Sequence, residues 1–413
     1  MKTIFTVAFA LFMMSTIMRA QAPVPISLHD AVTLGLSLNP EILQGTQQIK
    51  AAAGKVMQAG KVPNPELGIA INEVPSGYKI GSANEKDISI TQSFEYPAKR
   101  ETRIARASLD EQWIATAVEH RKIQLSARIE KAYIDAQRAK ISLNIIEEQI
   151  SLLGDIQRIV SNRYASGEAK YLDVLRIEIE ATRLRNTLLD AKNELRSSLM
   201  ILKNAVGDSS VSLYYPSDTL QYVPFVVDQD SLTASSTSRS NARRMAELQM
   251  KQQETSLSLA RSNYYPDFGV GLAYQRRTPA NSFLGIEMKV SVPLWFWYEP
   301  QGLVEEASAQ LSISQLNMMS VDRRIRNNIA MSIAMVQSTE QQVKNYEQVL
   351  QQGLKEILDV ATSQYRNNQI DLLNLFDTYR TQREIRGEYY RAIASYRHAV
   401  VDLGTAAELS MEQ

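Results

Sequence analysis

Cysteine is absent from this chain of 413 residues, and histidine occurs only at His29, His120 and His398. Without cysteine the chain has no disulfide, no thiol nucleophile and no cysteine-ligated zinc. Three histidines far apart in the sequence offer little material for an imidazole base or a metal site. We therefore predict that the protein is not an enzyme and that it has no catalytic residue, cofactor or bound metal.

An excess of one charge is also missing, because 45 basic side chains balance 45 acidic ones. A neutral chain exerts no bulk attraction on nucleic acid, and no basic run marks a surface for it. We expect no nucleic-acid partner.

Long apolar runs are the third absence, and the one apolar stretch at the N-terminus is short. Lys2 precedes the apolar residues Ile4–Met14, and the small residue Ala20 follows. This order is typical of a secretory signal peptide, which we predict over residues 1–20. The alternative, a membrane anchor, needs about 18 apolar residues. The exported protein is then either soluble or enters a membrane as β-strands.

Proline is absent from Ala98 to Tyr215 and from Gln301 to Gln413. Both stretches are rich in helix-forming residues, and apolar residues recur at steps of three and four, which predicts long helices with coiled-coil-like packing. We predict long helices over 98–166 and 301–368, and return helices over 169–206 and 370–411.

Strand patterns occur where the prolines and glycines cluster, in two predicted strand pairs over 65–96 and 267–294. The clearest strand places Leu284, Ile286 and Met288 on one face, and Gly285 and Glu287 on the other. This alternation is typical of a membrane β-strand and equally of a half-buried strand in a soluble sheet.

An internal repeat relates the two halves at an offset of 201 residues, as in the pairs Lys50 and Lys251, Pro65 and Pro266, Asn144 and Asn345, and Tyr164 and Tyr365. The offset predicts a first repeat over 21–206 and a second over 239–413. The polar stretch 207–238 is the predicted linker, or equatorial segment. Each repeat contains a helix, a strand pair, a long helix and a return helix.

Closure of the predicted sheet requires more than one chain. Four strands cannot form a barrel, and lipid permits no open sheet edge. A dimer would have eight strands with an interior filled by side chains, whereas a trimer would have twelve strands around a lumen. The predicted fold is mainly α with a small transmembrane β part: two structural repeats give four strands per protomer, which complete a 12-stranded trimeric barrel continued by a long periplasmic α-helical barrel.

Four sequence motifs resemble the TolC-like outer-membrane efflux family. They are the N-terminal helix from Ser27 through Glu41, the strand entry Gly60–Leu67 and the two strand exits Ser93–Arg100 and Ser291–Leu294. The Pro-Asn-Pro-Glu-Leu sequence of the entry and the Lys-Arg pair of the first exit are most similar to the cobalt–zinc–cadmium and copper efflux branch.

The resemblance implies an outer-membrane exit duct that extends into the periplasm and belongs to a tripartite efflux system. The implied partners are two further copies in a homotrimer, a periplasmic adaptor (membrane fusion protein), an inner-membrane pump of the RND type and outer-membrane lipid. The implied cargo is heavy-metal cations. One alternative is the same duct for drugs or for type I protein secretion. The other is a periplasmic coiled-coil adaptor or scaffold.

The family comparison also assigns roles at two predicted helix–helix turns. The implied periplasmic aperture residues are Asp173, Tyr365, Asn374 and Asp377. The implied adaptor-docking tip consists of Ser166, Gly167, Glu168, Asn368 and Gln369. Asn374 stands where an aperture carboxylate is usual, and Ile370 where a lock arginine can be found. For Asp173 and Asp377 the alternative is an acidic residue that stabilises the first turn of a helix. For Tyr365 it is a tyrosine packed between helices, and for the docking residues it is an ordinary role in forming a turn.

Aromatic residues cluster at the ends of the second predicted strand pair. We expect them to lie at a membrane interface, where aromatic side chains are enriched; the alternative is a packed corner between strand and helix. They are Tyr264, Tyr265, Trp295, Phe296, Trp297 and Tyr298.

Overall fold

The computed structural model describes residues 24–72, 85–210, 212–225, 229–278, 281–292, 299–351 and 353–408. The predicted signal peptide lies outside these residues. Within them are nine helices and six strands, so the predicted fold class, mainly α with a small β part, is confirmed. The strands are β1 (Val24–Ile26), β2 (Glu66–Asn72), β3 (Glu85–Phe94), β4 (Tyr214–Pro216), β5 (Asp267–Thr278) and β6 (Asn281–Ser291).

The helices vary widely in length, from 11 residues to 69. They are α1 (Leu28–Leu38), α2 (Pro40–Ala59), α3 (Pro97–Ala165), α4 (Tyr171–Val206), α5 (Gln229–Arg239), α6 (Asn241–Ser262), α7 (Glu299–Gln351), α8 (Leu354–Arg366) and α9 (Leu372–Ala407). No helix among the described residues is long and apolar enough to span a membrane.

The chain divides into two compact units. The first combines Met1–Leu43, Lys122–Thr233 and Asn327–Gln413, and the second combines Gln44–Arg121 and Ala234–Arg326. Each unit is therefore assembled from segments that are distant in sequence.

The second of the long helices is interrupted, which corrects the prediction of one helix over 301–368. Helix α7 ends at Gln351 and α8 begins at Leu354. Gly353 caps α8 with φ of 105°, a left-handed backbone that an α-helix cannot contain. The break follows from this glycine, because its conformation interrupts the ladder of helical hydrogen bonds.

The first unit contains a strand pair that the sequence analysis missed. Strands β1 and β4 pair in parallel, with Pro25 opposite Tyr215. Their core includes Ile26, Tyr133 and Tyr214, all buried. The segment 207–238, which is the predicted linker or equatorial segment, contains the ordered elements β4 and most of α5. Runs of three residues are too short for their alternation to be recognised.

The same unit packs α3, α4, α8 and α9 around one apolar cluster. Its buried members include Ile156, Ile177, Tyr365 and Leu375, one from each helix. A buried hydrogen bond of 3.0 Å joins Gln149 Nε2 to Gln382 Oε1. Since a buried amide needs a partner, this pair restricts how α3 and α9 can slide past each other.

The second unit contains a four-stranded antiparallel sheet in the order β2-β3-β5-β6. The register aligns Ile69 with Ile88, Ile88 with Tyr274 and Tyr274 with Leu284. These side chains form an apolar face, which is exposed throughout. Small and polar residues occupy the other face, because side chains alternate along a strand.

The first strand exit is held by ion pairs. Lys99 Nζ lies 2.9 Å from Asp267 Oδ1, which also accepts a hydrogen bond from the Tyr96 backbone N–H at 2.9 Å. Arg103 binds the Glu95 carboxylate through Nη1 at 2.6 and 2.7 Å. These contacts fix the start of α3 against β5 and the end of β3.

Candidate functional site

The first tip turn, Arg163–Asp173, joins α3 to α4. Gly167 has φ of 81°, and the Glu168 N–H donates to the Arg163 carbonyl at 2.8 Å. This left-handed glycine ends the helix because it lets the chain fold back onto its last carbonyls. The Lys170 N–H then donates to Asp173 Oδ2 at 3.4 Å as α4 begins.

The second tip turn, Tyr365–Asp377, joins α8 to α9 with the same hydrogen-bond pattern. Asn368 has φ of 58°, and the Gln369 N–H donates to the Gln364 carbonyl at 2.8 Å. Asp371 caps α9, since its Oδ1 accepts from the Asn374 N–H at 2.9 Å. Asparagine tolerates the left-handed backbone better than most residues, which explains its place here.

Arg163 connects the two tip turns. Its Nη1 donates to the Tyr365 backbone carbonyl at 2.9 Å, and its guanidinium lies 5.1 Å from the centre of the Tyr365 ring. Its Nε is also 3.7 Å from Glu168 Oε2. A charge-assisted hydrogen bond and a cation–π contact thus act on the same partner residue. The sequence predicts no role for Arg163, because a lone arginine in a long helix gives no sign of its distant partner.

Tyr365 is the most enclosed of the four predicted aperture residues, with an exposed fraction of 4%. Burial raises the pKa of its hydroxyl; the Arg163 cation opposes this rise and the Asp173 carboxylate adds to it. Tyr365 and Asp173 therefore lie within electrostatic range of each other. Asp173 also lies 3.6 Å from Arg176 on the next turn of its helix.

The other two predicted aperture residues, Asn374 and Asp377, are exposed on α9. The N–H of Asn374 is used by the cap, whereas its side chain is exposed. Asp371 is an exposed carboxylate that the sequence analysis missed, three residues from Asn374. The second turn thus has a carboxylate at the cap position instead of at position 374.

The five predicted docking residues form two short exposed segments. Ser166, Gly167 and Glu168 are exposed in the first turn, and Asn368 and Gln369 in the second. The rings of Tyr164 and Tyr171 flank the first segment, with centroids 5.9 Å apart. Both turns can therefore be reached by a partner without unfolding.

A second polar connection lies further from the turns, between α4 and α9. Arg380 binds Glu180 with two hydrogen bonds, Nε to Oε1 at 3.2 Å and Nη2 to Oε2 at 2.6 Å. Glu180 raises the pKa of Arg380, since their hydrogen bond stabilises the cation. The geometry is bidentate, which fixes orientation as well as distance.

The predicted interface aromatics are described only in part. Tyr264 and Tyr265 are exposed, and the ring of Tyr265 stacks on Tyr96 at 4.5 Å. Trp295, Phe296, Trp297 and Tyr298 lie outside the described residues. Across the parts of the chain that the structure does describe, no three histidine or carboxylate side chains are grouped to hold a metal ion.

A family model matches part of the chain. Residues 32–208 match the family model described as "Outer membrane efflux protein". This match confirms the resemblance drawn from the sequence motifs and the outer-membrane location that it implied.

Two further comparisons identify individual proteins to which this chain is similar. The "Cobalt-zinc-cadmium resistance protein CzcC" of Cupriavidus metallidurans is 21% identical over 370 residues, which covers 89% of this chain and 87% of the relative. The solved structure of CusC has a TM-score of 0.77 at 14% identity and covers 93% of this chain and 92% of its own. VceC of Vibrio cholerae has a TM-score of 0.73 at 16% identity, with coverage of 92% and 95%. At these identities the solved structures establish the fold.

Proposed function

We propose that this protein is the exit duct of a tripartite efflux system, a passive channel in the outer membrane. The observation that carries the proposal is the four-stranded sheet, whose apolar face is exposed along every strand. Leu284, Ile286 and Met288 on β6 are each at least three-quarters exposed. Lipid is the environment that favours such a face.

Three copies complete the duct in this proposal. The sheet has two free edges, β2 and β6, and unpaired edges are not tolerated in lipid. Three copies give twelve strands around a lumen. The helices of the same three copies continue the passage as a periplasmic α-helical barrel.

The two tip turns serve as aperture and docking site in this proposal. Arg163 and Tyr365 hold the turns together, and the exposed segments at 166–168 and 368–369 meet the periplasmic adaptor. An inner-membrane pump of the RND type supplies the energy. The channel itself performs no chemistry.

Heavy-metal cations are the cargo that we propose. The support is the CzcC relative, whose name states resistance to cobalt, zinc and cadmium. The exposed carboxylates Asp371 and Asp377 at the second turn would attract cations from the periplasm. The alternative cargoes are drugs and proteins of type I secretion.

The test is a deletion strain challenged in parallel with cobalt, zinc, cadmium, copper and a panel of drugs. We expect metal sensitivity that the wild-type gene restores. Sensitivity to drugs alone would overturn the metal cargo and leave the duct in place. Membrane fractionation tests the duct itself: a protein released without detergent as a soluble periplasmic species would favour a coiled-coil scaffold instead.

A further inference from the structure

Four helices connect to the four-stranded sheet, and all of them do so at the same end of it. Helices α2 and α6 lead into β2 and β5, and β3 and β6 lead out to α3 and α7. Because neighbouring strands are antiparallel, the connections from β2 to β3 and from β5 to β6 lie at the opposite end, which we call the hairpin end. In the proposed duct the helices extend into the periplasm, so the hairpin end faces the cell exterior.

Two cationic residues lie directly opposite each other near the hairpin end. The register pairs Lys86 of β3 with Arg276 of β5. Each lies two residues beyond the pair Ile88 and Tyr274 on the same strands. Because side chains alternate along a strand, Lys86 and Arg276 lie on the exposed apolar face of the sheet. We call these two residues the outer cation pair.

The position of the outer cation pair along the strands matches a lipid headgroup region. Phe268 lies on the same apolar face near the helix end of β5, and Arg276 follows it by eight residues. At about 3.4 Å per residue this is about 27 Å along the strand, or about 21 Å of membrane depth at a tilt of about 40°. The apolar band of a membrane barrel is about 25 Å tall. A long basic side chain spans the remaining distance while its stem stays in the apolar layer.

Uncharged residues flank the outer cation pair on the same face. Its neighbours in register are Ile71 on β2 and Ser282 on β6. Arg276 is exposed and forms no ion pair among the residues that the structure describes. Like charges that lie directly opposite each other in a sheet are destabilising. An anion bound between the two side chains would replace this repulsion by attraction.

The acidic residues next to Lys86 in sequence, Glu85 and Asp87, lie on the other face of β3. Glu85 Oε1 is 3.6 Å from Arg277 Nε. Asp87 Oδ2 accepts a hydrogen bond from Asn72 Nδ2 at 3.4 Å. The excess of positive charge at this end of the sheet therefore lies on the apolar face.

We propose that the outer cation pair binds phosphate groups of lipid headgroups in the outer leaflet of the outer membrane. The proposal rests on the proposed duct, which sets the direction of the sheet, and adds a specific lipid contact to it. The arginine guanidinium presents its N–H groups in a fixed fork that fits phosphate oxygens, and the lysine adds a second cation beside it. The ligand that fits this position is lipid A, the phosphorylated glycolipid of the outer leaflet.

Native mass spectrometry of the full-length protein in detergent, titrated with lipid A, measures the binding. The double variant Lys86→Gln, Arg276→Gln should bind lipid A at least about tenfold more weakly than the wild type, because hydrogen bonds to charged groups are lost. Lys289→Gln is the matched control, since it removes a cation from the opposite face of β6. It should bind like the wild type.

A second arm changes the ligand and needs no variant. Lipid A from which the phosphates have been removed should bind the wild type at least about tenfold more weakly than the phosphorylated form. Inorganic phosphate should not displace lipid A at equal concentration, and displacement would indicate a site for free anions and overturn the lipid assignment.

The outcomes separate this proposal from the duct itself. If the double variant is integrated in the membrane and binds lipid A as tightly as the wild type, the outer cation pair is not the site and the duct is unaffected. Equal binding of the dephosphorylated lipid would overturn recognition of phosphate in the same way. A wild-type protein released without detergent as a soluble periplasmic species would overturn both proposals.

Discussion

Arg163 is the residue whose replacement should act most directly on the proposed aperture. In Arg163→Gln the charge-assisted hydrogen bond to the Tyr365 carbonyl and the cation–π contact are lost. Such a bond contributes about 1.5–3 kcal/mol, which would raise the opening equilibrium about 10- to 150-fold. We expect longer and more frequent high-conductance openings in planar bilayers.

Arg158→Gln is the matched control, because Arg158 lies on the same helix, is well exposed and pairs within that helix, with Asp155. It should conduct like the wild type. Wild-type conductance of Arg163→Gln would remove Arg163 from the proposed aperture.

Tyr133 should make the stability of the first unit sensitive to alkaline pH. Its hydroxyl lies 2.7 Å from Asp218 Oδ2 and 3.0 Å from the Ile26 carbonyl. Burial, followed by the Asp218 hydrogen bond, raises the pKa of Tyr133 to about 12. An unfolded tyrosine titrates near pH 10, so this stabilisation is complete below about pH 10 and is lost as the pH rises through 12.

The variant Tyr133→Phe should lose about 1–3 kcal/mol of unfolding free energy at pH 8. It should also lose less additional stability than the wild type between pH 10 and 12. Denaturant titrations in detergent at pH 8, 10 and 12 measure both effects. Tyr164→Phe, at an exposed position, should match the wild type in stability. If Tyr133→Phe and the wild type lose the same stability between pH 10 and 12, the alkaline sensitivity does not come from Tyr133.

At the scale of single elements, the two glycines Gly353 and Gly154 should respond to alanine in opposite directions. Gly353 has φ of 105°, and a Cβ there would lie 3.3 Å from Glu356 Oε2. A left-handed alanine costs about 1–2 kcal/mol. Gly154 lies within α3, where no neighbouring atom would contact a Cβ within 4 Å, so alanine should stabilise that helix by up to about 1 kcal/mol.

Thermal melting of the helical circular dichroism signal in detergent measures both variants. Gly353→Ala should melt below the wild type and Gly154→Ala at or above it. If Gly353→Ala melts higher, the chain at this break prefers a continuous helix, and the separation of α7 from α8 is not required by the fold.

The apolar face of the sheet makes a prediction about membrane insertion. Ile286→Lys places a charge on the exposed apolar face, where lipid would oppose it by about 2–4 kcal/mol near the bilayer centre. Glu287→Lys places the same side chain on the opposite face of the same strand. We expect a low yield of membrane-integrated Ile286→Lys and a normal yield of Glu287→Lys, measured by fractionation. Equal yields would argue against lipid on this face.

The elements that were predicted from the sequence have patterns within one short segment. The elements that were missed depend on residues far apart in the chain. Gly167 and Asn368 have the left-handed backbone that their residue types favour, and the alternation in β6 is visible over eleven residues. The β1–β4 pairing joins residues about 190 positions apart and has no such local pattern. Arg163 was missed for a related reason, since its partner Tyr365 is 202 residues away.

At the scale of the whole molecule, a single chain leaves several apolar surfaces exposed. The sheet face follows a strand pattern and the exposed apolar residues of α4 follow a helical one, yet nothing in the described chain covers them. The sequence predicted the need for further copies from the strand number alone.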